Sequence, residues 1–127
     1  MNDEVKNIFA AEPAVKLAYL FGSRARGEAG PLSDYDFAVY LDRQMDALAM
    51  ADLKFKIQSE LCLALATNNI DLVVLNTTYS PEVKYNIINE GQLVYEREPF
   101  KVLVEPRIMN EYFDFMGGLR KYGLTKA

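Results

Sequence analysis

Two aspartates flank a tyrosine in the segment Ser33-Asp34-Tyr35-Asp36-Phe37-Ala38-Val39. In an extended chain successive side chains alternate between faces, so the two carboxylates point one way while Tyr35, Phe37 and Val39 point the other. Like charges held close repel, and a cation between them relieves the repulsion. Hard oxygen donors without imidazole or thiolate favour Mg²⁺ or Mn²⁺ over zinc. The chain has no histidine, which also removes Ser-His-Asp and Cys-His catalysis. Two divalent ions about 3.5–4 Å apart stabilise both the attacking and the leaving oxygen of an in-line phosphoryl displacement. Such a site needs a further carboxylate to ligate an ion or take a proton. Asp71, at the start of the apolar run Ile70-Asp71-Leu72-Val73-Val74-Leu75, is the candidate; an acidic group among buried apolar residues wants a specific partner. Its structural alternative is to cap the turn after Asn69.

The phosphate side of the same chemistry lies upstream, in Tyr19-Leu20-Phe21-Gly22-Ser23-Arg24-Ala25-Arg26-Gly27. Gly22 lets backbone approach a triphosphate, the amides of a strand-to-turn junction form an anion nest, and Ser23 adds a hydroxyl donor. Arg24 and Arg26 can neutralise phosphate charge, or they are solvated charges and partners of Glu28. Ser33 is a further candidate nucleotide contact, or it only shapes the turn before Asp34.

The elements that must position these groups follow from periodicity. A short helix is expected over Asp3 to Ala11, closed by Pro13. Val15 to Phe21 is apolar and rich in strand formers, and Gly22-Ser23 ends it in a turn. Residues 24–33 read as a turn of helix and a loop, and Asp34 to Leu41 as a second strand. From about Asp42 to Ala66 the spacing of Met45, Ala49, Leu53, Ile57, Leu61 and Leu65 is helical. Ile70 to Leu75 reads as a buried strand, and Ser80-Pro81 caps and opens a helix ending near Gly91. Gln92 to Glu96 is a short edge strand. The aromatic tail from Pro99 to Tyr122 is helical, with Pro106 and Gly117-Gly118 as interruptions. The fold class is α/β (α+β), a small mixed sheet flanked by helices.

With 127 residues, 50% of them hydrophobic, one domain over 1–127 with a C-terminal helical tail from about 99 is expected. The net charge of −4 and the pI of about 4.8 lack the basic footprint of a general nucleic-acid binder. No apolar run is long enough for a membrane span, and the N-terminus is mixed and acidic, unlike a signal peptide; a cytoplasmic protein is expected. Cys62 cannot bridge internally and reads as a small buried hydrophobe. Tyr112, Phe113, Phe115, Met116 and Tyr122 form either an interaction surface or packing beneath the sheet.

Gly22-Ser23, ten residues, then Asp34-Tyr35-Asp36 resembles the signature of the nucleotidyltransferase superfamily typified by polymerase β, and GSRARG at 22–27 resembles its minimal prokaryotic (MNT-type) branch. The resemblance implies a polymerase β-like fold. It implies roles in holding ATP for Gly22 and Ser23, and roles as ligands of two Mg²⁺ ions (or Mn²⁺) for Asp34, Asp36 and Asp71. It further implies an antitoxin that transfers AMP from ATP to a tyrosine of a cognate HEPN-domain ribonuclease toxin, with no direct nucleic-acid or membrane partner. The rival reading is a non-catalytic antitoxin that binds and occludes the toxin. An enzyme modifying a small molecule is disfavoured, because such relatives carry an extra acceptor-binding domain.

Overall fold

The structure, a computed structural model, describes residues 2–123. Helix α1 (Asp3–Ala10) starts where the Asn2 side chain accepts the Val5 N–H at 2.9 Å, and it buries Val5 and Phe9. Strand β1 (Val15–Phe21) is buried along most of its length. The chain then turns through residues 23–27 without forming helix, and strand β2 (Tyr35–Leu41) begins one residue after Asp34.

Helix α2 (Ala47–Leu65) begins later than its apolar spacing predicts. Asp42 instead folds the chain into a turn, its carboxylate accepting from the Gln44 N–H at 3.0 Å and its carbonyl from Met45 at 3.1 Å. Asp46 then caps the helix through the Ala49 N–H at 2.7 Å. The helix ends at Ala66, in the left-handed region at φ 51°. Cys62 is half-buried and packs against the core edge rather than lying fully inside it.

Strand β3 (Ile70–Val74) gives way to a 3₁₀ turn at Leu75–Thr77. Helix α3 (Pro81–Glu90) has the expected Ser80 cap and Pro81 start, and strand β4 (Gln92–Glu96) follows. Helix α4 (Phe100–Lys121) is continuous through Pro106 and Gly117-Gly118, contrary to the interruptions expected from sequence. Proline at 106 frees the carbonyl of Val102, which lies on an exposed side where water can take it. The two glycines sit in the last turns, where each costs only about 1 kcal/mol of helix propensity.

The strands form one mixed sheet in the order β3-β2-β1-β4. β1 runs antiparallel to β2 and β4, while β2 and β3 are parallel, joined by the α2 crossover that a parallel pair requires. Alternation along the strands makes two cores. Ala18, Leu20, Phe37, Val39 and Leu72 face α1 and α2, against Phe9, Ile57 and Leu61. Leu17, Tyr19 and Ala38 face α3 and α4, against Ile87, Val104 and Ile108. No helix among the described residues is long and apolar enough to cross a membrane.

Candidate active site

Parity along β2 and β3 puts Asp36 on the same sheet face as Ala38 and Tyr40, and Asp71 on the face of Val73, which is the α3/α4 side. Register completes the placement: Asp36 pairs with Phe21 on β1 and with Asp71 on β3. The two aspartates therefore sit side by side on adjacent strands, whose spacing is about 4.8 Å. Asp34 precedes β2 with the same parity and is exposed. Asp71 differs from the sequence reading in one respect, because Ile70 and Leu72 beside it are buried while its own side chain is exposed on the opposite face. Capping of the turn before β3 is done by Thr67, whose hydroxyl accepts the Asn69 N–H at 3.0 Å.

Among the described residues none of the three carboxylates accepts a hydrogen bond or joins an ion pair. Their electrostatic coupling is nevertheless evident. Burial first, then the neighbouring Asp71 and Asp34 carboxylates, push the Asp36 carboxyl above its ordinary value, while Arg26 pulls it the other way. Among the described residues no three acidic, histidine or cysteine side chains close into a finished ion cage; the registered pair Asp36 and Asp71 is the part in place. As a donor set, unpartnered carboxylates of this kind fit a hard divalent cation.

Gly22 has φ 75°, and a Cβ at that position would collide with the Asp36 carboxylate. Only glycine satisfies both the left-handed backbone and that contact. The turn beyond it is closed by its own backbone: the Gly22 carbonyl accepts from Ala25 at 3.1 Å and Arg26 at 3.3 Å, and the Ser23 carbonyl from Glu28 at 3.0 Å. The N–H groups of Ser23 and Arg24 and the Ser23 hydroxyl meet no acceptor among the described residues. Free amides following a left-handed glycine are the makings of an anion nest.

The two arginines part company. The Arg24 guanidinium donates twice to the Ser33 carbonyl, at 3.2 and 2.8 Å, and lies 3.8 Å from the Tyr35 ring centroid. Tyr35 belongs to the α1/α2 face, so the structure does not bring Arg24 to the carboxylates. Ser33 is likewise engaged in the loop, its hydroxyl accepting the Gly30 N–H at 2.9 Å. Arg26 pairs with Glu28 at 3.0 Å while remaining exposed, and it lines a cleft of about 230 Å³ between the Gly22 turn and α3. Asn86 and Glu90 of α3 line that cleft as well. They escape a motif-based reading, and their only trace in sequence is a four-residue spacing on one helical face.

A family model described as "Polymerase beta, Nucleotidyltransferase" matches residues 3–100. The chain belongs to this nucleotidyltransferase family. Its carboxylate-bearing strands, the glycine turn and the cleft all fall inside the matched region. A search of curated proteins finds no match. Among solved structures, the chain is similar to a toxin–antitoxin complex with AMP-PNP (22% identity, TM-score 0.75, 95% of each chain covered). It is also similar to a chain of a tri-AMPylated Shewanella oneidensis HEPN toxin in complex with MNT antitoxin (20% identity, TM-score 0.66, 91% of this chain and 87% of the other). A third likeness is to the MntA-HepT toxin–antitoxin (21% identity, TM-score 0.64, 91% and 87% covered). At such identities the likeness is one of fold.

Proposed function

We propose that this protein is a Mg²⁺-dependent adenylyltransferase that passes AMP from ATP to a tyrosine hydroxyl of a HEPN-type toxin, and so acts as its antitoxin. The observation that carries this reading is the registered pair Asp36 and Asp71 beside the Gly22 turn, three elements meeting at one end of the sheet. The folds shared with an AMP-PNP-bound toxin–antitoxin and with the antitoxin of an AMPylated toxin support the choice of nucleotide and partner.

Asp34, Asp36 and Asp71 would hold the metal ions, whose chemistry when bound is to neutralise phosphate charge and favour in-line displacement. The free amides of Ser23 and Arg24 and the Ser23 hydroxyl donate to the β- and γ-phosphates, and Arg26 adds positive charge from the cleft wall. Arg24 and Ser33 brace the loop that presents Asp34 rather than touching nucleotide. The acceptor oxygen forms a bond to the α-phosphorus, the bond from that phosphorus to the bridging oxygen breaks, and pyrophosphate leaves. The hydroxyl proton passes to the Asp71 carboxylate.

The test is transfer of label from ATP radiolabelled at the α-phosphate to a co-purified partner, with the Asp34→Asn, Asp36→Asn double variant beside it. Label on the partner with wild type and a loss of about a thousandfold or more in the variant is expected. Full activity in the variant would sink the assignment. A second reading, neutralisation by occlusion, draws on α4, where Phe113 is 55% exposed beside exposed Met109 and Phe115. It requires the same variant to bind and silence the partner without transfer.

A further inference from the structure

The cleft just described is not the largest hollow of the molecule. At the opposite end of the sheet, two adjoining cavities of about 410 and 340 Å³ share Tyr40, Arg43, Val104 and Arg107 in their walls. They lie between the β2–α2 loop and the first turns of α4. Tyr40 is four positions along β2 from Asp36, roughly 13 Å at the rise of a strand. A small molecule seated there is out of reach of the groups of the candidate active site.

The charges around these cavities are unevenly satisfied. Asp42 is engaged by the Gln44 N–H of its own turn. Glu111 pairs with Lys84 at 2.9 Å, and Lys16 donates to the Pro13 carbonyl at 2.9 Å. Arg43 and Arg107 remain: among the described residues neither guanidinium has a carboxylate or a hydrogen-bond acceptor. Two uncommitted forks on one cleft, in a chain of net charge −4, are a local excess of positive charge suited to a phosphate or carboxylate. The apolar part of the wall is built by Met45, Met50, Leu75 and Ile108 in the larger cavity and by Phe100 and Leu103 in the smaller, with the Tyr40 ring at the junction of the two.

The floor is rigid. The Asn76 amide accepts the Leu41 N–H at 2.8 Å and donates to the Leu41 carbonyl at 2.9 Å, fixing the end of β2. With both its groups used, Asn76 shapes the site rather than reading the ligand. A preformed hollow, an apolar wall and few convergent polar groups are the general features of a small-molecule site.

We infer that the hollow between the β2–α2 loop and α4 is a second binding site, for a small phosphate-bearing molecule with a flat apolar body whose anionic group is held by Arg43 and Arg107. This inference stands whether or not the protein is an adenylyltransferase.

The experiment is a backbone-amide NMR titration of the full chain in metal-free buffer, with AMP, inorganic phosphate and adenosine as separate probes. AMP is expected to shift the amides of Tyr40, Asn76 and Val104. The Arg43→Gln, Arg107→Gln double variant should weaken that response at least tenfold while any response at Gly22 and Ser23 is unchanged. Both arginines are exposed, and the single variants, each weakening the response, keep the result readable if the double variant folds poorly. Shifts confined to the Gly22 turn, or a far-end response that survives both substitutions, would overturn the inference. Inorganic phosphate binding as tightly as AMP would remove the role of the apolar wall, and adenosine binding as tightly would remove that of the arginines; either also overturns it.

Discussion

Asp36 is pressed from three directions, by Gly22 at the end of β1, by Asp71 on β3 and by Asp34 one turn of the pleat away. A half-buried carboxylate with no hydrogen-bond donor beside two like charges is a structural cost, and such a cluster is tolerated where a cation completes it. Tyr19 shows the opposite case, a buried polar group fully used. It is 1% exposed, and its hydroxyl donates to the Glu105 carboxylate of α4. Burial and that carboxylate push the phenol above its ordinary value of about 10. Tyr19→Phe should cost about 1.5–3 kcal/mol, the range for hydrogen bonds to charged groups. Because the folded phenol is the weaker acid, its contribution is complete below the unfolded value and is lost as pH rises beyond it. Urea unfolding of both proteins should therefore show a constant gap up to about pH 10 and a narrowing gap above it; a gap that widens with pH would contradict the pairing.

The helix ends decide much at the next scale. α2 terminates at Ala66 with a left-handed φ of 51°, a conformation that costs a residue with a Cβ roughly 1 kcal/mol. Thr67 and Ala66 close the end by donating to the Cys62 and Leu63 carbonyls at 3.1 and 3.4 Å. Ala66→Gly keeps those bonds and removes the strain, so equilibrium unfolding should show a gain of about 0.5–1 kcal/mol. A loss would mean that the left-handed end is not the ground state. α4 is joined to α3 by the Lys84–Glu111 pair and by Tyr112, whose ring stacks on Tyr85 with centroids 4.0 Å apart. The aromatic tail thus divides: Tyr112 packs on α3, while Phe113 in the helix and Tyr122 just beyond its end are exposed.

For the whole molecule, the sheet separates two chemistries by its length. The carboxylates and the free amides of the Gly22 turn gather at one end, and the uncommitted arginines at the other. Ligands that bind only the folded state stabilise it by mass action. Mg²⁺ with ATP at a hundred times the dissociation constant should raise the unfolding free energy of the wild type by about 2.7 kcal/mol. Chelation of the metal should reverse its part of this gain, and the Asp34→Asn, Asp36→Asn variant should lack that metal-dependent part. Equal stabilisation of wild type and variant, followed by thermal melts, would place nucleotide binding away from these carboxylates.

Spacing alone determined the strand–turn–strand order of the motif, the side on which Asp34 and Asp36 lie, the Ser80-Pro81 helix start and the mixed sheet with flanking helices. These depend on local alternation, glycine permissiveness and capping chemistry, all of which act within a few residues. Partnerships between distant residues were decided by the tertiary structure. Arg24 adjoins the phosphate turn in sequence, yet the Tyr35 ring and the Ser33 carbonyl hold it on the other face. Asp71 meets Asp36 because a parallel crossover sets their register. Asn86 and Glu90 reach the cleft only because α3 packs over the end of β1. Pro106 interrupts no helix because its freed carbonyl faces water. Local rules say which way a side chain leaves the backbone; only the packing of elements says what it meets there.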